Sequence, residues 1–180
     1  LTFFRTKNLS IPDFLKLSSF FEAALLRNFV LTKTKKMDRI RINQTDPAAY
    51  RAMFALDKYI ENSSLSKTHW ELIKIRASQL NGCSFCVDKH SKDARANGET
   101  ERRIFALSCW KETPFFDEQE RAILQLTEEV TLIAGRVSDE TYNQAVSLLG
   151  DTYLTQVIMG IITINAWNRI GISTKMEPEL

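Results

Sequence analysis

From Thr45 onward the apolar residues recur at three- and four-residue intervals, and no stretch alternates apolar with polar over the length of a strand. That periodicity restricts the chain to packed helices. Six glycines and four prolines in 180 residues are also too few for a turn-rich all-β fold. The sequence therefore predicts an all-α, single-domain, multi-helix protein.

The punctuation fits this. Asp46-Pro47 places a capping side chain before a proline suited to a first helical turn. Behind it Tyr50, Met53, Phe54, Leu56, Asp57 and Ile60 make an amphipathic helix that Asn62-Ser63-Ser64 ends. A second helix starts near Ser66 or Thr68, buries Trp70, Ile73, Ala77 and Leu80, and stops at Asn81-Gly82. A third runs from about Cys83 to Asn97, and a short one covers Glu101 to Trp110. Asp117-x-x-Glu120 reads as a capping box opening a long helix through Ile133, and Ser138 caps another reaching Leu149. After Gly150-Asp151 the last helix is apolar nearly all round, from Leu154 to Trp167. Such a helix is either central or shared with a partner subunit.

The N-terminal arm stands apart. Residues 1–36 carry seven Lys/Arg against two Asp/Glu, which leaves seventeen against twenty for the rest. The body is mildly acidic, with no basic stripe of the kind that binds nucleic acid. Phe14, Leu17, Phe21, Ala24 and Leu25 fall at helical spacing after Pro12, but charges interrupt the run, so no membrane span is expected. Met37 reads as the original start, with the core at residues 37–180. A basic amphipathic start also resembles an organelle transit peptide.

The chemistry concentrates in Glu71 to His90, ELIKIRASQLNGCSFCVDKH. Two of the three cysteines and one of the two histidines lie within eight positions. Cys83 and Cys86 at i and i+3 share a helical face and can form a disulfide. A helix N-terminus favours a thiolate there. His90, four residues beyond Cys86, can reach the sulfur, and Glu71 can fold over the same site. Together they offer a nucleophile, a resolving thiol, a base and an orienting carboxylate. Other readings stay open at this stage. Zinc would need a fourth ligand from His69, Cys109 or a carboxylate. Glu71 could instead close a capping box with Thr68. His69 reads as structural and Cys109 as a small buried apolar residue. So few cysteines, two of them in a C-x-x-C, suit a reducing, cytoplasmic setting better than a secreted framework.

Glu71, Cys83-x-x-Cys86 and His90, with LIKIRASQLNGCSFCVDKHSKDARANGE, ALSCWKETPFF and INAWNRIGIS around them, resemble the alkylhydroperoxidase D (AhpD-like) core of the carboxymuconolactone decarboxylase superfamily. The resemblance runs from about Ile42 to Met176 and omits the arm. It implies an all-helical subunit that associates as trimers or hexamers through apolar helices. It also implies Cys86 as the peroxidatic thiol, Cys83 as the resolving one, and Glu71 and His90 as a proton relay. The expected function is thiol-dependent reduction of an organic hydroperoxide or hydrogen peroxide. An external dithiol or lipoyl-type reductant would reopen the disulfide, and no metal or flavin would be required. One departure is visible: Phe85 stands where the best-known members carry a histidine between the cysteines. The alternatives are a disulfide oxidoreductase or redox sensor, a cofactor-free decarboxylase of small lactone acids, and a non-catalytic assembly module.

Overall fold

A computed structural model describes residues 39–178. The expected arm, and the helix expected after Pro12, lie outside the described residues. Among the described residues every regular element is helical. A single turn, α1 (Ile42–Thr45), precedes α2 (Pro47–Glu61), α3 (Lys67–Asn81) and α4 (Ser84–Ala96). Then α5 (Glu101–Ala106) runs into a 3-10 stretch, Leu107–Glu112, before α6 (Glu118–Thr131). After a 3-10 turn at Ile133–Gly135 come α7 (Asp139–Leu149) and α8 (Asp151–Thr174).

Side-chain caps fix most helix starts. The Asp46 carboxylate accepts from the Ala48 and Ala49 N–H groups, with Pro47 opening α2. Asp117 and Glu120 form the expected capping box of α6, and Ser138 caps α7. For α3 the cap is Ser66, whose hydroxyl accepts from His69 N–H at 3.1 Å. The Thr68–Glu71 capping box is therefore not formed, and Glu71 is left for another role.

Two boundaries differ from expectation. Leu132 leaves the helical region (φ −92°, ψ 45°), so α6 ends at Thr131 instead of Ile133. The helix expected over 101–110 stays α-helical only to Ala106, and Cys109 is non-helical inside the 3-10 stretch (φ −127°, ψ 35°). That kink turns Trp110 inward, where its indole N–H donates to Glu128 at 2.8 Å. Cys109 is consequently exposed, contrary to its reading as a buried residue.

The central helix is α3. Leu72 and Ile75 pack with Ala94, Ile104, Leu107, Trp110, Phe116 and Leu124. Ile73 and Ala77 pack on the other side with Ile123 and Leu126 of α6 and with Leu154, Val157, Ile161 and Ile164 of α8. Each such fully buried aliphatic stabilises by roughly 1.5–3 kcal/mol. The α8 helix packs against α2, α3, α4, α6 and α7, yet leaves Ile162 and Ile172 44% and 45% exposed. Serving both cores, α3 is buried continuously from Glu71 to Ile75, and this run includes two charged side chains, Glu71 and Lys74. No helix among the described residues is long and apolar enough to cross a membrane.

Candidate active site

The junction of α3 and α4 sets the geometry. Gly82 takes the left-handed conformation (φ 70°) that an L side chain rarely adopts. Its N–H donates to Gln79 O, and Cys83 N–H donates to Ser78 O at 3.0 Å. This pair of bonds closes α3 as a Schellman motif and delivers Cys83 directly to the N-cap of α4. Cys86 follows at the third position of that helix.

Both thiols are buried, Cys83 2% and Cys86 4% exposed, and both cysteines are free. Cys83 Sγ donates to Cys86 Sγ at 2.7 Å, so closing a disulfide of ~2.05 Å requires only a small approach. The sulfurs lie against Gly171 of α8, where a Cβ would meet Cys83 Sγ at 3.2 Å and Cys86 Sγ at 3.8 Å. Burial pushes the Cys86 thiol up to about 12, assisted by the neighbouring Cys83. Hydrogen bonds from Asn168 and Ser78 act in the opposite direction. The thiolate that helix-end electrostatics predict is thus outweighed by desolvation.

These two donors belong to a buried polar chain that crosses from α3 to α8. Asn81 donates to Asn165 Oδ1 at 2.9 Å and to Asn168 Oδ1 at 2.8 Å. Asn168 in turn donates to Ser78 Oγ at 2.9 Å. Asn168 and Ser78 are both fully buried. With its oxygen accepting from Asn168, Ser78 keeps its hydroxyl proton for the sulfur.

Glu71, on the inward face of α3, is 6% exposed. Its Oε1 accepts from Lys74 Nζ at 2.9 Å and from Asn97 Nδ2 at 3.4 Å. Its Oε2 lies 4.0 Å from His90 Nδ1, and neither of these two buried atoms has a hydrogen-bond partner among the described residues. His90 Nδ1 lies 3.4 Å from Asp93 Oδ2, which also accepts from Lys89 at 2.8 Å. Burial raises the Glu71 carboxyl above its ordinary value, with Lys74 opposing. Burial, then the charges of Lys74 and Lys89, push His90 down to about 3, so the ring is uncharged at neutral pH.

Glu71, His90 and Asp93 bring ligand atoms within 4.8 Å of one another, a spacing that could take a cation. Each carboxylate already accepts from a lysine, so the counter-charge a metal would supply comes from the chain itself.

Cys86, His90, Asp93 and Lys74 front a cavity of about 510 Å³. Tyr50, Phe54 and Trp167 wall one side, their ring centroids 5.2–5.7 Å apart in edge-on and tilted contacts. The Trp167 indole N–H is held by both oxygens of Asp57 at 3.0 Å. Trp70 and Phe85 complete the apolar lining. Cys83 instead borders an open groove with Gly82, Ser84, Val87 and Asp88, and the groove and the cavity share no lining residue.

The structure thus gathers Glu71, Cys83, Cys86 and His90 at one place. His69 lies apart from them, with Nδ1 2.7 Å from the Tyr153 hydroxyl. Lys74, Asp93, Ser78, Asn168 and the aromatic wall were not legible as site residues. The available signals were a lysine inside the buried stripe of α3 and two asparagines on the inward face of an apolar helix.

An all-helical fold with paired thiols beside a Glu/His/Asp cluster supports redox-type enzymatic activity of the AhpD-like class. The sequence model of the Carboxymuconolactone decarboxylase family matches residues 47–129. The uncharacterized protein YdfG of Bacillus subtilis (strain 168) is 42% identical over 136 residues, covering 75% of this chain and 92% of its own. A crystal structure of ATU0492 from Agrobacterium tumefaciens, a protein of unknown function and candidate antioxidant defence protein AhpD, is similar with a TM-score of 0.77 and 36% identity. That match covers 79% of this chain and 99% of the other. The AhpD core of an uncharacterized peroxidase-related protein from Ralstonia eutropha JMP134 shares the fold, with a TM-score of 0.67, 19% identity and coverage of 76% and 74%. The chain belongs to the carboxymuconolactone decarboxylase family.

Proposed function

We propose that the protein is a thiol-dependent hydroperoxide reductase. Cys86 attacks the terminal oxygen of a hydroperoxide, and the sulfur becomes a sulfenic acid as the O–O bond breaks. Cys83 condenses with it, releasing water and leaving an 83–86 disulfide that an external dithiol or lipoyl-type reductant reopens. Glu71, whose carboxyl is raised by burial, takes the Cys86 proton, and His90 orders the relay as a neutral ring. The observation that carries this reading is that Cys86 fronts the cavity while Cys83 Sγ lies 2.7 Å behind it. The expected setting is cytoplasmic, and the expected assembly is a trimer or hexamer.

The test is peroxide consumption with dithiothreitol as reductant, comparing the parent with Cys86→Ser and Cys83→Ser. Cys86→Ser should abolish turnover, and Cys83→Ser should slow it, because dithiothreitol must then reduce the Cys86 sulfenic acid directly. Unchanged turnover in both variants would sink the thiol mechanism. A second reading, a disulfide oxidoreductase with little peroxide turnover, draws support from two features. Phe85 removes a titratable group from between the cysteines, and burial keeps the Cys86 thiol protonated. Fast dithiol–disulfide exchange in a parent that leaves peroxide untouched would favour it.

A further inference from the structure

Lys74 is 8% exposed, and lysines are rarely buried so completely. It is anchored by Glu71 Oε1 at 2.9 Å and by the Trp70 ring, whose centroid lies 5.0 Å from Nζ. These contacts offset the desolvation of its charge, yet the side chain fronts the cavity beside Cys86 instead of sinking into either core. Its field also reaches four titratable groups in or beside the cavity: Asp57 on α2, Glu71 on its own helix, and His90 and Asp93 on α4.

We propose that Lys74 is a catalytic residue of this site, the general acid that protonates the leaving oxygen of the hydroperoxide. The inference rests on the peroxidase reading and deepens it. Breaking the O–O bond expels an alkoxide, a strong base that leaves readily only if it is protonated. His90 is uncharged at neutral pH, so it lacks the imidazolium proton and keeps only a weakly acidic ring N–H. Phe85 has no proton to give. Lys89 also borders the cavity, but its side chain is 53% exposed and bound to Asp93. Asp57 is committed to the Trp167 indole. Lys74 is buried at the cavity wall, and its proton can be restored from Glu71 along their existing hydrogen bond.

The step balances. A sulfur lone pair of Cys86 forms the S–O bond as the O–O bond breaks, oxidising the sulfur by two electrons and reducing the departing oxygen. The thiol proton passes to Glu71, the alkoxide takes a proton from Lys74 Nζ, and the Glu71 proton then returns Lys74 to its ammonium form. The net change is one thiol and one hydroperoxide converted to one sulfenic acid and one alcohol.

The test uses the full chain with dithiothreitol and two oxidants. Cumene hydroperoxide expels an alkoxide, whereas peracetic acid expels acetate, which needs no proton. Lys74→Met removes the partner of Glu71 and so slows both oxidants, but kcat/KM should fall about 100-fold further for cumene hydroperoxide than for peracetic acid. Lys74→Arg keeps the charge and the ion pair but cannot release a proton at neutral pH, so it should show the same selective loss in a folded protein. Equal slowing of both oxidants by Lys74→Met, or full activity of Lys74→Arg on cumene hydroperoxide, would overturn the general-acid role. A parent inactive on both oxidants would instead sink the peroxidase reading itself.

Discussion

Two influences meet at the sulfur of Cys86. Its place in the first turn of α4 favours a thiolate by roughly 0.3–1 kcal/mol, and Asn168 and Ser78 add hydrogen bonds. Burial at 4% exposure outweighs both, and the thiol rises to about 12. The resting sulfur is therefore protonated, and in the proposed reaction Glu71 takes its proton. With iodoacetamide near neutral pH, exposed Cys109 should be alkylated first and Cys86 last. The Cys86 rate should keep rising with pH beyond ~8.5, where an ordinary cysteine levels off. Peptide mapping that found Cys86 modified first would show that burial does not control it. The four residues read from sequence were legible because they are rare types at helical spacing. Lys74 three residues after Glu71, and Asp93 three after His90, look like ordinary surface pairs. Only burial, which no local pattern reports, sets them apart.

At the level of elements, Glu128 of α6 shows how the helices that carry the site are held. Its Oε1 accepts from Arg76 Nε at 2.9 Å and Nη2 at 2.7 Å on α3, and from the Trp110 indole at 2.8 Å. Its Oε2 accepts from Lys111 at 3.0 Å. These partners hold its carboxyl below the ordinary range in spite of burial. Replacing Glu128 with Ala strands the indole and guanidinium donors, which should cost ~2 kcal/mol and lower Tm by about 4–8 °C. A depressed folded pKa means that this contribution is complete above the unfolded value of ~4.3 and is lost as pH falls through the folded one. Thermal melts of parent and variant should therefore converge in acid, and a gap that persisted there would refute the assignment. Helix starts were legible in sequence because Asp46, Ser66, Asp117 and Ser138 are chemically suited to cap. The 3-10 stretch at Leu107–Glu112 was not, because its cause lies outside it: Trp110 turns inward to reach Glu128.

For the whole molecule, helical periodicity was enough to give the fold class, but not which helix lies at the centre. The apolar run of α8 was compatible with a central place or with one shared by a partner subunit, and α3 joins the two cores because it is flanked on both sides, a matter of topology. The apolar surplus of α8 surfaces instead at Ile162 and Ile172. In sedimentation the parent should run heavier than one 20.7 kDa chain, and the double variant Ile162→Lys/Ile172→Lys should run lighter. A parent that sediments as a monomer would remove the expected assembly. The separate surroundings of the two cysteines have a kinetic meaning. Cys86 meets the aromatic-walled cavity and Cys83 the open groove, so oxidant and reductant would arrive by different doors on two faces of one helix. In the proposed cycle a product lingering in the cavity would not bar the reductant. An inert aromatic lodger should then compete with peroxide while leaving re-reduction of the disulfide at full speed.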